Sequence, residues 1–576
     1  GFVDSARMTY SAADTLVSCL AKSPRGTTHG FRFRSLSGSS ANASERFYSF
    51  EAFEAAAHER AAQLQQLDLR HGDRIALVIA DPAEFVLSFV GAAVAGVVPV
   101  PIYPRASFKA KNAYVDTVSH ILATSGAKVL LTTESTRPVV DEVFTQNPSL
   151  ARLHTIEQLQ QMPVLTPQLP VVRADELCFL QFTSGSTSLP KGVMVTHANL
   201  VANARAFLGP TGVNPSLEDL TITWLPLYHD MGLIGFALGA IVVPMPTLIM
   251  PTEAFGRRPN IWLETLHQTQ GTLTFAPNFA YALATKRARD KDLEGLDLSR
   301  VRIAGCGAEP INPKVMREFA DRFARCGFRR EALLPAYGMA EATLAITFHP
   351  RMTPLVTDRV SVEAMQRGEA TASAADAAES GTQELVSCGV PFPEHEIKIV
   401  DERGASLPER RVGEIMTRGP SVTHGYYQNP AATAETWDDD WLHTGDLGYI
   451  ADGNLYVCGR LKDLIIIRGA NYYPQDLEWS VAELPGVRRD NVVAFSVQRN
   501  GEETLIIAAE GNSADAASLR KSIASKISET AGVTVGHVAV VRVGSLPKTS
   551  SGKVQRRRTK ALFETAELEE HPVVTE

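Results

Sequence analysis

The six cysteines, Cys19, Cys178, Cys306, Cys326, Cys388 and Cys458, include no C-x-x-C pair and no metal-ligand spacing. They therefore read as reduced core thiols, which excludes a disulfide scaffold or zinc site and fits a cytoplasmic setting. A basic excess is also missing. The formal net charge of −8 argues against a nucleic-acid-binding body. Two apolar stretches, Phe85 to Tyr103 and Phe236 to Met250, are interrupted by proline, and the second is shorter than the roughly 20 residues a bilayer core requires. Each reads as a buried helix leading into a buried strand, and no stable membrane insertion is expected. The start lacks a secretory signal, and Gly1 in place of Met reads as a processed or excised chain. No internal repeat recurs.

What is present is an ordinary globular composition, 44% hydrophobic and 21% charged, over 576 residues. That length exceeds one core and allows about three or four domains' worth of chain. Strand-length apolar runs such as Arg74 to Ile79, Ala127 to Thr132 and Thr221 to Leu225 alternate with longer amphipathic segments. This alternation predicts parallel sheet covered by helices, an α/β fold. Between about Val360 and Glu384 the pattern stops in small and acidic residues, which reads as an inserted, mobile excursion. After Leu385 the strands become shorter and glycine-punctuated, as in antiparallel or barrel structure. From Leu464 a compact mixed unit follows, with strands expected at Val492 to Val497, Leu505 to Ala509 and His537 to Val543.

Five segments carry chemistry. In Gln181 to Gly192, an apolar strand runs into a loop with hydroxyls at Thr183, Ser184, Ser186 and Thr187, a glycine at Gly185 and a cation at Lys191. Such a loop can cradle phosphate through backbone N–H groups, hydroxyls and the ammonium. It is not a Walker loop, because Lys191 follows proline and precedes glycine. In Trp224 to Gly232, His229 follows a hydrophobic strand and can line a cleft at a carboxyl end. In Ala336 to Thr343, Tyr337 can stack on a base and Glu341 can hold Mg²⁺ against nucleotide phosphates. Asp446, in Thr444-Gly445-Asp446, can bind ribose hydroxyls. Last come Gly459 to Asp463 and Pro547 to Arg556, the latter placing Lys553 at the tip of a glycine-containing turn. Taken singly, each segment is equally readable as a turn, a core histidine or a surface helix.

In this order and at these separations, the five segments resemble the adenylate-forming superfamily of acyl-CoA synthetases, luciferases and nonribosomal peptide adenylation domains, from about Tyr48 to Arg556. The resemblance implies a large N-terminal domain, residues 1–459, of two helix-flanked sheets plus a distorted β-barrel. A hinge at 460–463 would join it to a small mobile α+β C-terminal domain, 464–576. It implies that Thr183 to Lys191 wrap the β- and γ-phosphates of ATP, and that Gly307, Ala308, Glu309, Tyr337, Gly338 and Met339 form the adenine pocket. Glu341 would hold Mg²⁺, Asp446 the ribose and Arg460 a ribose or phosphate oxygen. His229 would lie beside the reacting carboxylate, Lys462 would be the hinge, and Lys553 would be the catalytic lysine. Ser188 departs from the glycine that many members have there, so the loop must manage with a residue less tolerant of positive φ.

The neighbourhood of His229, with Met231, Gly232, Phe275, Pro277 and Ala336, offers no charge beyond Asp230, so an aliphatic acid is expected, bound by burial of about 0.8 kcal/mol per methylene. The excursion after Glu341 resembles that of the fatty acyl-AMP ligases. This implies transfer of the acyl group to a phosphopantetheinylated acyl carrier protein rather than to coenzyme A, with the insertion restraining the C-terminal domain. The basic run Lys553 to Lys560 offers an electrostatic docking surface for an acidic carrier, and equally reads as a solvated face. A conventional acyl-CoA synthetase differs only in acceptor. A catalytically silent binding module would not need Lys553, Glu341 and Asp446 together.

Overall fold

The computed structural model describes residues 13–35, 44–104, 111–163, 166, 168–183, 189–373, 381–499, 502–512, 514, 516–549 and 553–572, with backbone only for 111–113. The largest sheet has nine strands. Its parallel middle runs Gly30–Arg34, Thr247–Ile249, Thr221–Thr223, Leu273–Ala276, Ile303–Cys306 and Leu333–Gly338 in spatial order. Antiparallel strands close both edges: Glu45–Ser49 on one, Ala345–Phe348 and Val390–Pro391 on the other. Strands such as Ile303–Cys306 are buried along their whole length, as expected where helices cover both faces.

A second, fully parallel sheet orders Val98–Pro101, Arg74–Val78, Val129–Thr132 and Arg152–Thr155. The apolar stretch from Phe85 falls in the helix Pro82–Val94, in which only Glu84 escapes burial, and then in the strand Val98–Pro101. Asp81 caps that helix by accepting from the Glu84 N–H, and Pro82 supplies a preset first-turn φ. The second stretch forms a π-helical turn Leu233–Leu238, a short helix Gly239–Val242 and the strand Thr247–Ile249. No described helix is long and apolar enough to cross a membrane. All six cysteines are free and buried.

Beyond Leu385 the structure differs from the barrel expected. Glu396–Val400, Gly413–Arg418, Trp441–Ala451, Trp437–Asp438 and Asn454–Arg460 make a five-stranded antiparallel sheet, and no closed barrel forms among the described residues. The reason is local. Asn454–Arg460 meets the Ser387–Gly389 segment on its free side, with Cys388 N–H donating to Leu455 O and Leu455 N–H to Gly389 O, each at 2.8 Å. That pairing joins this sheet to the large one instead of closing it.

Composition also misjudged part of the excursion. Thr357–Ser361 and Thr382–Val386 pair as an antiparallel ladder, and Val362–Gln366 is helical. Val360, Met365 and Ala370 are buried with Leu385, Leu447 and Tyr449, so a few well-spaced apolar residues dock this segment on a neighbour's core. Residues 374–380 lie outside those described. The remaining unit packs Pro474–Ala482, Ala516–Ala531 and Arg556–Glu564 against a three-stranded sheet of Val487–Arg499, Glu502–Gly511 and Val535–Val541.

The amino ends of the central strands are tied by one carboxylate. Asp219 accepts from Arg302 Nη2 (2.7 Å) and Nε (2.8 Å), from Thr272 Oγ1 (2.7 Å) and from Ser216 N–H (2.9 Å), just ahead of three neighbouring strands. Burial alone would raise its pKa, but the Arg302, Thr272 and Ser216 hydrogen bonds hold it at about 2. A carboxyl depressed in this way adds stability above its unfolded value near pH 4 and loses it as the pH falls toward 2. Replacing Asp219 by Asn should therefore lower stability by about 2 kcal/mol at neutral pH. The gap between the two proteins in thermal midpoint should narrow below pH 4.

Candidate active site

The carboxyl ends of the same parallel strands open a cleft. After Thr221–Thr223 come Trp224, Pro226 and His229; after Leu273–Ala276 comes Pro277; after Ile303–Cys306 come Gly307, Ala308 and Glu309; Ala336, Tyr337 and Gly338 end Leu333–Gly338. Parallel strand direction alone brings these dispersed segments to one edge. A cavity open to solvent is lined there by Trp224, Pro226, His229, Met231, Pro277 and Ala308, and by Lys553 from the C-terminal unit.

Lys553 is held by the Lys548–Val554 bridge, by Thr549 N–H donating to Lys553 O (2.7 Å) and by its own N–H donating to Thr549 Oγ1 (3.1 Å). Its Nζ donates to the carbonyl of Ala308, a residue in the left-handed region at φ 69°. Non-glycine residues in such a conformation persist only where their surroundings enforce it. Next to it, Glu309 Oε1 accepts from the Phe279 N–H at 2.9 Å and so braces the Pro277 segment. Burial pushes the Lys553 pKa down, while Glu309, Asp230 and Asp446 push it back up against Arg460. Burial raises Glu309, and Lys553 opposes that rise.

Tyr337, Asp446 and Arg460 converge. The Tyr337 hydroxyl donates to Asp446 Oδ2 at 2.8 Å, and Arg460 Nε lies 3.6 Å from Asp446 Oδ1 across the ladder that pairs these two residues. Burial raises the Asp446 pKa, with Arg460 and the Tyr337 hydroxyl countering it. Met339 precedes a single 3₁₀ turn, Ala340–Ala342, that carries the buried Glu341.

The loop singled out first from the sequence is bounded by an antiparallel hairpin, Leu177–Thr183 with Lys191–Thr196, in which Thr183 faces Lys191. Ser184, Gly185, Ser186 and Thr187, with Ser188, lie outside the described residues. Lys191 Nζ sits 4.3 Å above the Tyr426 ring, and the Tyr426 hydroxyl donates to Glu341 Oε1 at 2.8 Å. Tyr426 thus links the hairpin to Glu341, an unforeseen connection. Its only sequence signal was the Gly425-Tyr426-Tyr427 run between polar neighbours.

Asp230 was also passed over. His229 Nδ1 lies 2.6 Å from Asp230 Oδ1, which also accepts from the Met231 N–H at 2.7 Å. Burial alone would raise the Asp230 carboxyl, but His229 holds it below its ordinary value. A second cavity, apolar, shares Met231 with the cleft and is lined by Gly235, Phe236, Phe275, Leu344 and Phe348 among others. Of the residues expected at a substrate pocket, His229, Met231, Phe275 and Pro277 line one cavity or the other. Gly232 and Ala336 line neither: Gly232 is packed under the Pro226 carbonyl, and the Ala336 carbonyl faces Gly307.

Lys462 lies in the 3₁₀ turn Leu461–Asp463 between the two units. The basic run that begins at Lys553 is largely spoken for. Arg556 pairs with Asp463 (2.6 Å) and Glu478 (2.8 Å), and Arg557 Nε lies 3.4 Å from Asp463. Those two arginines lock the Leu461–Asp463 turn to the C-terminal unit, so the docking face expected from the run shrinks to exposed Arg558 and its neighbour Lys560.

Residues 35–427 match the family described as AMP-binding enzyme, and 462–572 match one described as Disco-interacting protein 2-like, AMP domain. A Caulobacter vibrioides protein bearing the name of an acyl-CoA synthetase is 35% identical, over 87% of this chain and 88% of its own length. The medium-chain-fatty-acid–[acyl-carrier-protein] ligase JamA of Moorena producens is 32% identical over 89% of each. A solved structure from work on fatty acyl-adenylate ligases of E. coli and L. pneumophila superposes with TM-score 0.90 at 33% identity, over 96% of this chain and 98% of that one.

Because the Tyr426 hydroxyl favours the ionised form of Glu341 against burial, Tyr426→Phe should cost about 1 kcal/mol. The loss in thermal midpoint should be larger at pH 8 than at pH 5, where the carboxyl is more protonated in both proteins.

Proposed function

Since the chain belongs to the AMP-binding enzyme family and is an adenylate-forming fatty acyl-AMP ligase, we propose that it joins a fatty acid to ATP and hands the acyl group to the phosphopantetheine thiol of an acyl carrier protein. The observation that carries the reading is the Lys553 ammonium, set in a cleft that shares Met231 as a lining residue with a neighbouring apolar chamber.

In the first step a carboxylate oxygen attacks the α-phosphorus, the bond to the bridging oxygen breaks, and pyrophosphate departs. Attack of anion on anion needs fixed positive charge that is not dissipated by water. Lys553 supplies it, and the flanking carboxylates of Glu309, Asp230 and Asp446 keep that ammonium charged in a half-buried position. His229, held by Asp230, offers its second ring nitrogen to the reacting carboxylate or the α-phosphate. Tyr337 and Gly307 to Glu309 receive the adenine, Asp446 and Arg460 the ribose, and Thr183 to Lys191 the outer phosphates. Glu341 suits Mg²⁺ arriving on the nucleotide: the described residues hold no group of three His, Cys, Asp or Glu that could cage a metal, and Mg²⁺ commonly uses one or two carboxylates together with substrate phosphates. When bound, the ion would draw charge toward departing pyrophosphate.

In the second step the thiol sulfur attacks the acyl carbon, AMP leaves, and the thiol proton goes to solvent. This requires Lys553 to withdraw and a channel to open, with rotation at Lys462. The described part of the insertion bears on that motion. Gln383 Nε2 donates to Asp476 Oδ2 at 2.6 Å and Gln366 Nε2 to Ala531 O at 3.1 Å, so the insertion grips the C-terminal unit. A restrained unit favours an acceptor that brings its own docking energy, a carrier protein, over free coenzyme A.

Lys553→Met should lower acyl-AMP formation at least about a hundredfold while leaving the fold intact by circular dichroism. With ATP, Mg²⁺ and fatty acids, the wild-type protein should give thioester on carrier and little acyl-CoA by mass spectrometry. Efficient acyl-CoA formation would replace the carrier reading with an acyl-CoA synthetase.

A further inference from the structure

The helix that follows His229 contains three glycines with different surroundings. A Cβ built on Gly232 would meet the Pro226 carbonyl oxygen at 2.2 Å, and one on Gly239 the Ile234 carbonyl oxygen at 2.8 Å. Backbone closes both positions. A Cβ on Gly235 would meet only Leu344 Cδ2, at an ordinary 3.5 Å. Nothing in the backbone therefore demands glycine at 235, and a glycine inside a helix costs about 1 kcal/mol relative to alanine. What glycine provides there is space.

That space is the apolar chamber. Gly235 lies on the π-helical turn Leu233–Leu238, and from Gly232 to Val242 it alone is partly exposed, the others being buried. Of the residues lining the chamber, Met231, Gly235, Phe275 and Leu344 are partly exposed, while the others are buried. Met231 also lines the cleft that holds Lys553. The chamber keeps its width on the sheet side for a related reason. Gly305 carries the Phe275 ring so closely that an added Cβ would lie 2.0 Å from Cε1.

We propose that Gly235 is the chain-length determinant of this site: its missing side chain, opposite Leu344, lets an unbranched acyl tail pass Met231 and bury its far end in the chamber. This rests on the fatty-acid reading above and narrows it to straight-chain acids long enough to reach beyond Met231. A side chain at 235 would take up volume that distal methylenes otherwise occupy, at about 0.8 kcal/mol or roughly fourfold in kcat/KM per methylene denied burial.

The experiment measures pyrophosphate release by the full chain with ATP and straight-chain acids from butanoic to hexadecanoic, together with an aromatic acid and an amino acid. Gly235→Leu should reduce the ratio of kcat/KM for hexadecanoic over butanoic acid at least about tenfold, and Gly235→Ala should reduce it less. Leu344→Ala should raise the ratio. The pair Gly235→Val with Leu344→Ala conserves volume across the chamber and should return the profile toward wild type, which keeps the test intact where Gly235→Leu fails to fold. A ratio that stays within about twofold of wild type in folded variants, or falls without recovery in the pair, overturns the assignment of Gly235 while leaving the fatty-acid reading standing. A wild-type protein that activates the aromatic or amino acid and no straight-chain acid overturns both.

Discussion

Everything in the cleft depends on keeping one ammonium charged in a half-buried crevice. Lys553 lies among Glu309, Asp230 and Asp446, with Arg460 as a second cation. Burial disfavours the ionised form of each carboxylate and of the lysine. Each is tolerable because the others are present, and the effective dielectric of a half-buried crevice makes their mutual attraction larger than it would be in water. The cluster is also distributed over the chain: Asp230 and Glu309 come from the body, Asp446 and Arg460 from the adjoining antiparallel sheet, and Lys553 from the C-terminal unit. Seating that unit and completing the charge set are therefore one event, and removing Lys553 leaves Glu309 without its nearest compensating cation.

Seating is arranged by contacts away from the chemistry. Lys314 pairs with Glu483 at 2.6 Å and Arg489 with Glu318 at 3.7 Å, both at exposed positions where ion pairs contribute little individually. The Gln383–Asp476 contact is of another kind. Asp476 is pushed up to about 8 by burial, against the Gln383 hydrogen bond, so the insertion reaches a carboxyl that is uncharged near neutral pH. A neutral hydrogen bond of this sort holds register without the strong desolvation cost of a buried ion pair.

The large sheet separates two duties along its own strands. Its amino ends carry the Asp219–Arg302 knot, which ties the starts of three strands. Its carboxyl ends carry turns whose residues depart from ordinary conformations, Ala308 at φ 69° and Thr343 at φ 69° among them. Rigidity at one end permits such strain at the other. The apolar chamber runs beside the sheet from Met231 and Phe275 to Thr221 and Leu273 at the amino ends of their strands, along the π-helical turn that carries Gly235.

The alternation of apolar strands and amphipathic helices was enough to determine the parallel sheets, and the segments around His229, Tyr337, Asp446 and Lys553 were legible because each combines residue types rarely needed for packing alone. Local signals of that kind survive in one dimension. Proline in Phe85 to Tyr103 likewise marked helix and strand rather than a membrane span. Tertiary structure alone decided what depends on pairings between distant segments. It turned the expected barrel into an open sheet by giving Ser387–Gly389 to the Asn454–Arg460 strand. It docked the sparse excursion through Val360, Met365 and Ala370, assigned Arg556 and Arg557 to the Leu461–Asp463 turn, and brought Tyr426 to Glu341. Gly235 makes the division plain: the sequence shows one more glycine in an apolar helix, and only the side chains packed around it, Leu344 opposite and backbone closing its two neighbours, distinguish a void from a tight contact.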